Sequence, residues 1–86
     1  GRMNISHKPD QQAFVLALGN TQAVLQYSLL PASADGEGGV DFTRTYVPSE
    51  FRGQGYAEAL VKHGLSWASQ RGLKVQASCW YVRDFL

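Results

Sequence analysis

The chain has 86 residues, of which 44% are hydrophobic and 17% charged, and this balance predicts one packed globular domain over residues 1–86. A formal net charge of +1 gives no broad basic surface, which argues against nucleic acid as the main partner. The apolar runs are far shorter than the ~20 residues that cross a bilayer, so we expect neither a membrane segment nor a signal segment. The single cysteine, Cys79, excludes an internal disulfide, and we expect a cytoplasmic monomer.

Three strands are predicted in the first half of the chain. Gln12–Leu18 and Ala23–Leu30 are apolar runs that pair as a hairpin through the turn residues Gly19–Thr21. The glycine-rich stretch Pro31–Gly39 predicts a loop. Val40–Val47 alternates β-branched and aromatic residues, which favours a third strand.

An amphipathic helix and a further strand follow. Apolar or small residues recur at the i, i+3, i+4, i+7, i+8, i+11 spacing of one buried stripe, namely Ala57, Leu60, Val61, Gly64, Leu65 and Ala68. Glu58 and Lys62 lie four apart on the opposite face, and Arg71-Gly72 is typical of a helix end. With a strand at Leu73–Ala77, the order predicts a right-handed parallel β-α-β crossover. Ser78–Leu86 fits either a last helix or coil.

The join between the third strand and the helix, Val47–Ala57, is rich in glycine and contains Arg52. A loop that enters a helix start leaves backbone N–H groups unpaired at the positive end of the helix dipole, an arrangement that binds phosphate. These residues therefore predict a pyrophosphate-bearing cofactor. The spacing lacks the third glycine and downstream acid of a dinucleotide fingerprint, and it lacks the Gly-Lys-Ser/Thr of a triphosphate loop. Both of those site classes are disfavoured.

The segment Arg52–Ala57 resembles the Arg/Gln-x-x-Gly-x-Gly/Ala pyrophosphate loop of the GNAT superfamily of N-acetyltransferases, and Val47-Pro48 and Leu60-Val61 fit as well. The chain is similar to a group of small single-domain GNAT-like proteins in which a Cys, an aromatic residue and a Val follow the next strand, as in Cys79–Val82. The resemblance covers about residues 40–82. It implies an α/β (α+β type) fold with a mixed sheet, mostly antiparallel with one parallel crossover.

Two positions depart from that group. Relatives often carry His-Thr near the end of the third strand, where this chain has Arg44-Thr45, and often a Pro where it has Ala77. A role that the histidine plays in relatives is therefore not available unchanged here.

The resemblance implies an acetyl-coenzyme A site. The loop would hold the pyrophosphate on backbone N–H groups, and the third-strand edge would pair with the pantetheine arm and bring the thioester close to Cys79. The implied cofactor-binding residues are Thr45, Tyr46, Val47, Arg52, Gly53, Gln54, Gly55, Tyr56 and Ala57.

Several roles near the thioester stay open. As a thiolate, Cys79 can accept the acetyl group, or it can simply line the site or be a small buried hydrophobe while the amine attacks directly. The resemblance gives Tyr81 the role of protonating the departing thiolate, although a tyrosine there can also be core. Glu50 and Asp41 are possible bases, and the sequence selects neither.

The remaining candidates have structural interpretations. We expect His63 on the solvated helix face and His7 in a loose N-terminus. Trp67 is expected to cover part of the sheet edge, and Trp80 to be core or cleft wall. No His, Cys, Asp and Glu have metal-ligand spacing, so no metal is expected. Gly1-Arg2, before the methionine, is interpreted as a cloning remnant.

The resulting hypothesis is an acetyl-coenzyme A-dependent N-acetyltransferase that acts on an amine, either a lysine of a protein or peptide tail or a small amine. One alternative is a non-catalytic module that binds or senses an acyl-coenzyme A. Another is a structural domain whose glycine loop merely turns.

Overall fold

The structure is a computed structural model, and it describes residues 4–32, 34 and 38–86. Its elements are β1 (Ile5–Lys8), β2 (Ala13–Leu18), β3 (Thr21–Leu30), β4 (Gly39–Tyr46), α1 (Tyr56–Gln70), β5 (Lys74–Ala77) and α2 (Trp80–Arg83), with 3-10 turns at Pro9–Gln11 and Ser49–Phe51. The strands form one sheet in the order β1-β2-β3-β4-β5, antiparallel except for the parallel β4–β5 pair. The predicted mixed sheet with one parallel crossover is confirmed.

The predicted hairpin is the β2–β3 pair. Leu18 lies opposite Thr21, so the turn is Gly19-Asn20, with Gly19 at a φ of 61° that favours glycine. Of the loop predicted over 31–39, residues 33 and 35–37 lie outside the described residues, and Gly39 already begins β4. Gly1-Arg2 also lies outside them.

The prediction of a loose N-terminus at His7 is wrong. Ile5–Lys8 is an edge strand on β2, and the His7 ring stacks on Phe14 with centroids 4.3 Å apart. The His7 Nε2 atom lies 2.6 Å from the hydroxyl of Tyr27. The ring of Trp67 lies 5.0 Å from the rings of both His7 and Tyr27, on the face of the first three strands. These four side chains, here called the aromatic cluster, hold the strand because the histidine supplies both a flat ring and a hydrogen-bond partner.

Helix α1 covers the sheet with the predicted stripe, of which Leu60, Val61, Gly64 and Ala68 are buried. A Cβ atom at Gly64 would lie 2.7 Å from Cδ2 of Leu25, so the glycine lets the helix approach the sheet closely. The helix ends as predicted: Gly72 has a φ of 67°, its N–H donates to the carbonyl of Ser69, and that of Leu73 donates to Ala68. No described helix is long and apolar enough to cross a membrane.

Strands β4 and β5 separate at one end of the sheet. Their pairing runs from Gly39 opposite Lys74 to Phe42 opposite Ala77, while β4 continues through Tyr46 with β3 on its other side. The chain after β5 turns into α2, and the N–H of Cys79 donates to the carbonyl of Phe42 at 3.0 Å. The edge of β4 beyond Phe42 is therefore left unpaired by β5, and this opening positions the site.

Candidate functional site

A cleft of about 440 Å³ lies where β4 and β5 separate, next to the start of α1 and to α2. It is lined by Thr45, Tyr46, Val47, Phe51, Arg52, Gly53, Gly55, Tyr56, Ala57, Glu58, Cys79, Trp80 and Tyr81. All the predicted site residues meet here except Gln54, which is exposed and not part of the lining. Residues from the third strand, the glycine loop and the end of the chain thus share one cleft.

The glycine loop presents backbone donors to this cleft. Gly53 and Gly55 have φ angles of 80° and 84°, and a Cβ atom at either would meet nothing within 4 Å. Gly55 is the N-cap of α1 and brings no side-chain cap, so the N–H groups of the first helical turn have no partner within the helix. The donor set and the open space above the glycines fit a pyrophosphate.

Arg52 fixes the loop that carries these donors. Its Nε donates to the carbonyl of Val47 at 2.9 Å, which ties the start of the glycine loop to the residue that follows β4. The side chain is exposed and lines the cleft, and its guanidinium keeps further N–H donors besides Nε. Arg52 therefore makes one hydrogen bond within the protein and keeps other N–H donors with which it can bind an anion.

The Cys79 thiol lies between β4 and α2. Its Sγ is 3.6 Å from Oγ1 of Thr45, and it is the N-cap residue of α2. Burial alone would raise the pKa of the thiol. Hydrogen bonds from the backbone of Val82, the hydroxyl of Thr45 and the backbone of Tyr81 outweigh that effect and lower the pKa.

Tyr81 has the opposite tendency. Burial first, and then the charge of Glu58, raise the pKa of its hydroxyl above the ordinary value. The ring is half-buried, in edge contact with Trp80 at 5.8 Å and Phe85 at 5.3 Å. The cleft thus contains a hydroxyl that keeps its proton near neutral pH.

The two bases suggested by the sequence do not line the cleft. Asp41 is engaged by Ser78, whose N–H and hydroxyl donate to its two carboxylate oxygens at 2.7 and 2.6 Å. Glu50 is exposed and also outside the lining. Arg44, where relatives often have histidine, lies over the ring of Tyr46 at 5.1 Å and supplies no base.

Sequence reasoning missed Glu58 and Phe51 as cleft residues. Glu58 was placed on the solvated face of the helix by periodicity; the only signal for the cleft is its place in the first turn after the glycine loop. Trp80 is cleft wall and not core, since it is 69% exposed. His63 is exposed as expected, with its ring edge against Phe14. Residues 4–32, 34 and 38–86 hold no group of three metal-ligating side chains.

Comparisons with known proteins agree with this architecture. A family model described as GCN5-related N-acetyl-transferase matches residues 13–86. The chain is similar to a ribosomal-protein-alanine N-acetyltransferase from Brucella melitensis biovar Abortus 2308, with a TM-score of 0.65 and 23% sequence identity. This likeness shows the fold. It covers 81% of this chain and 54% of the solved structure, so this chain spans about half the length of that protein. No curated protein matches the chain. Because the family model covers most of the sequence, the chain belongs to the GCN5-related N-acetyltransferase (GNAT) family.

Proposed function

We propose that this chain binds acetyl-coenzyme A and transfers its acetyl group to an amine. The observation that carries the proposal is that one cleft combines three features: the unpaired N–H groups of the helix start, the free edge of β4 and the protonated hydroxyl of Tyr81. The first fits a pyrophosphate, the second fits the amide groups of the pantetheine arm, and the third fits a leaving thiolate. A structural turn would need none of them.

When bound, acetyl-coenzyme A supplies a thioester whose C–S bond breaks as the C–N bond to the amine forms. An alkyl ammonium with a pKa of ~10.4 must lose one proton before it can attack. The Tyr81 hydroxyl donates a proton to the departing sulfur, and its raised pKa keeps that proton available. The second proton, which the nitrogen loses as the amide forms, restores the hydroxyl through solvent. The backbone of the loop and of β4 positions the reactants and replaces water around them.

For the thiol of Cys79 we propose a lining role, with direct attack by the amine. The Sγ atom lies 3.6 Å from Oγ1 of Thr45, and no histidine or lysine is among the described residues that line the cleft, so the thiol has no neighbouring base there to activate it. Intact mass spectrometry after mixing with acetyl-coenzyme A should then show no acetyl adduct at Cys79. A Cys79→Ala variant should keep turnover within about tenfold, whereas loss of all turnover together with an adduct in the wild type would establish the covalent route.

Calorimetric titration with coenzyme A and acetyl-coenzyme A tests the proposal itself. We expect saturable binding, followed by release of free thiol when a panel of amines and lysine-bearing peptides is added. Binding without transfer to any acceptor would favour the acyl-coenzyme A-binding module. Absence of binding at millimolar ligand would leave only the structural domain.

A further inference from the structure

The turn between β5 and α2 leads to two of the polar side chains of the cleft, and the helix behind it is short. Cys79 and Tyr81 line the cleft from this segment. Helix α2 has 4 residues, and its one buried residue is Val82. A helix of that length is not stable by its own backbone bonds. Contacts from outside the helix must therefore fix where the thiol and the hydroxyl lie.

Asp41 and Arg83 bind this turn from two sides through Ser78. The carboxylate of Asp41, on β4, accepts the N–H of Ser78 at 2.7 Å and its hydroxyl at 2.6 Å. From α2, Nη2 of Arg83 donates to the carbonyl of Ser78 at 2.9 Å, and its Nε donates to that of Ala77 at 3.3 Å. Hydrogen bonds in which one partner is ionised are roughly twice as strong as neutral ones. Every polar group of Ser78 is thus bound to a charged side chain.

Further contacts join the same turn to β4. The carbonyl of Phe42, next to Asp41, accepts the N–H of Cys79 at 3.0 Å. Toward the open end of the cleft, Sγ of Cys79 lies 3.6 Å from Oγ1 of Thr45. The turn is thus attached to β4 at three places in succession, and Asp41 makes the first of them. Loss of that first attachment would let the thiol and the residues after it move away from the strand.

We propose that Asp41 and Arg83 are positioning residues that act through Ser78. Together they fix where the thiol and the hydroxyl of the cleft lie relative to β4. Asp41 therefore has a role in the site although it does not line the cleft. The effect expected on turnover rests on the proposed function, whereas the effect on the thiol does not. A displacement of about 1 Å at a reacting group can lower a rate by about 100-fold, so a looser turn should be seen in kcat.

Substitutions of Asp41 separate positioning from stability. Asp41→Ala removes both bonds to Ser78 and should lower kcat about tenfold, while the calorimetric affinity for coenzyme A stays within about twofold because the glycine loop is left in place. Asp41→Asn keeps an oxygen that can accept the N–H and should retain most of the rate. Arg83→Gln should resemble Asp41→Ala with a smaller loss. The matched control is Tyr27→Phe, which weakens the fold away from the cleft and should leave kcat unchanged.

The thiol gives a second measurement that needs no coenzyme. Although burial raises the pKa of Cys79, hydrogen bonds from α2 and from Thr45 outweigh that effect and hold the pKa below its ordinary value. Cys79 is the only cysteine of the chain, so the pH dependence of alkylation by iodoacetamide reports on its position. The midpoint of that dependence should rise in Asp41→Ala and in Arg83→Gln. It should stay at the wild-type value in Tyr27→Phe.

Either an unchanged kcat or an unchanged thiol midpoint in folded Asp41→Ala would overturn the inference, and so would equal changes in Tyr27→Phe. If Asp41→Ala does not fold, Arg83→Gln and Ser78→Ala, which loses only the hydroxyl bond, are measured in its place by the same criteria. If wild type neither binds coenzyme A nor transfers an acetyl group, the proposed function fails. The thiol midpoint then decides this inference alone: a rise in Asp41→Ala supports it, and no change contradicts it.

Discussion

The two ends of helix α1 use similar side chains in opposite ways. Near its C-terminal end, the polar groups of the aromatic cluster bond each other and its rings are packed together. The Tyr27 hydroxyl bonds the ring of His7 at 2.6 Å, and Phe14 is fully buried. Near its N-terminal end, aromatic rings stand around a cleft, with Trp80 69% exposed and the backbone donors of the first turn uncapped. Side chains whose rings and polar groups are enclosed stabilise the fold, whereas exposed rings and uncapped N–H groups around an open cleft can bind a ligand.

The largest expected effect is that of removing the Tyr81 hydroxyl. Tyr81→Phe should lower kcat by roughly 100-fold, since a positioned general acid contributes about that much, and it should leave the affinity for coenzyme A unchanged. Steady-state kinetics with calorimetry measures both quantities. Tyr27→Phe is the matched control at the other end of the helix, and an equal loss of kcat there would contradict the division between the two regions.

Glycines at the two ends of α1 allow the next comparison. Gly55 and Gly72 both have positive φ angles and open space around a Cβ, so either change to alanine should cost about 1 kcal/mol of stability. Only Gly55→Ala should weaken coenzyme A binding, by about tenfold, because only its Cβ would point into the cleft lining. Calorimetry and urea unfolding on both variants test this. Equal weakening by Gly72→Ala would mean that backbone strain, and not the cleft, controls binding.

Within the aromatic cluster, the expected effect is on stability alone. Tyr27→Phe leaves the His7 ring nitrogen without its 2.6 Å partner, which should lower the free energy of unfolding by about 1–2 kcal/mol. Urea unfolding measures this, with Tyr81→Phe expected to change stability by less than about 0.5 kcal/mol because that ring lies at an open cleft. If Tyr81→Phe lowered the free energy of unfolding more than Tyr27→Phe, the cleft residues would also belong to the folded core.

The same contrast shows what could be predicted from sequence. The stripe on α1 and the helix end at Gly72 were predictable because each depends on local spacing. Strand β1 was missed because one of its two inward positions is filled by His7, a polar residue whose bond to Tyr27, twenty residues away, cannot be seen in the sequence. Periodicity predicts which face of a helix is buried, but not that residues of α2 line the same cleft as its first turn. Glu58 was therefore missed as a cleft residue. The Thr45–Cys79 contact likewise joins residues 34 apart in sequence.

The smallest predicted effect is a pH dependence of stability that belongs to the aromatic cluster. Burial, then the charges of Arg71 and His63, lower the pKa of His7, while burial raises the pKa of the Tyr27 hydroxyl it contacts, so only the histidine titrates near neutrality. Below the unfolded pKa of ~6.5, the unfolded chain takes up a proton that the folded chain resists. Stability should therefore be complete above that pH and fall by a few tenths of a kcal/mol as the pH drops toward the folded pKa.

Urea unfolding between about pH 5 and pH 8 measures this slope, and His7→Gln should flatten it. Arg71→Gln should reduce it, because one of the charges that oppose protonation is gone while the contacts of His7 with Phe14 and Tyr27 stay. A slope that survives in His7→Gln would mean that the titrating group is not in the aromatic cluster. Coenzyme A affinity measured on His7→Gln at the same pH values should match wild type, because that side chain is not part of the cleft lining. A coenzyme A affinity that differed from wild type in His7→Gln would mean that the two ends of α1 are coupled. Weaker packing of β1 at one end would then alter the cleft at the other.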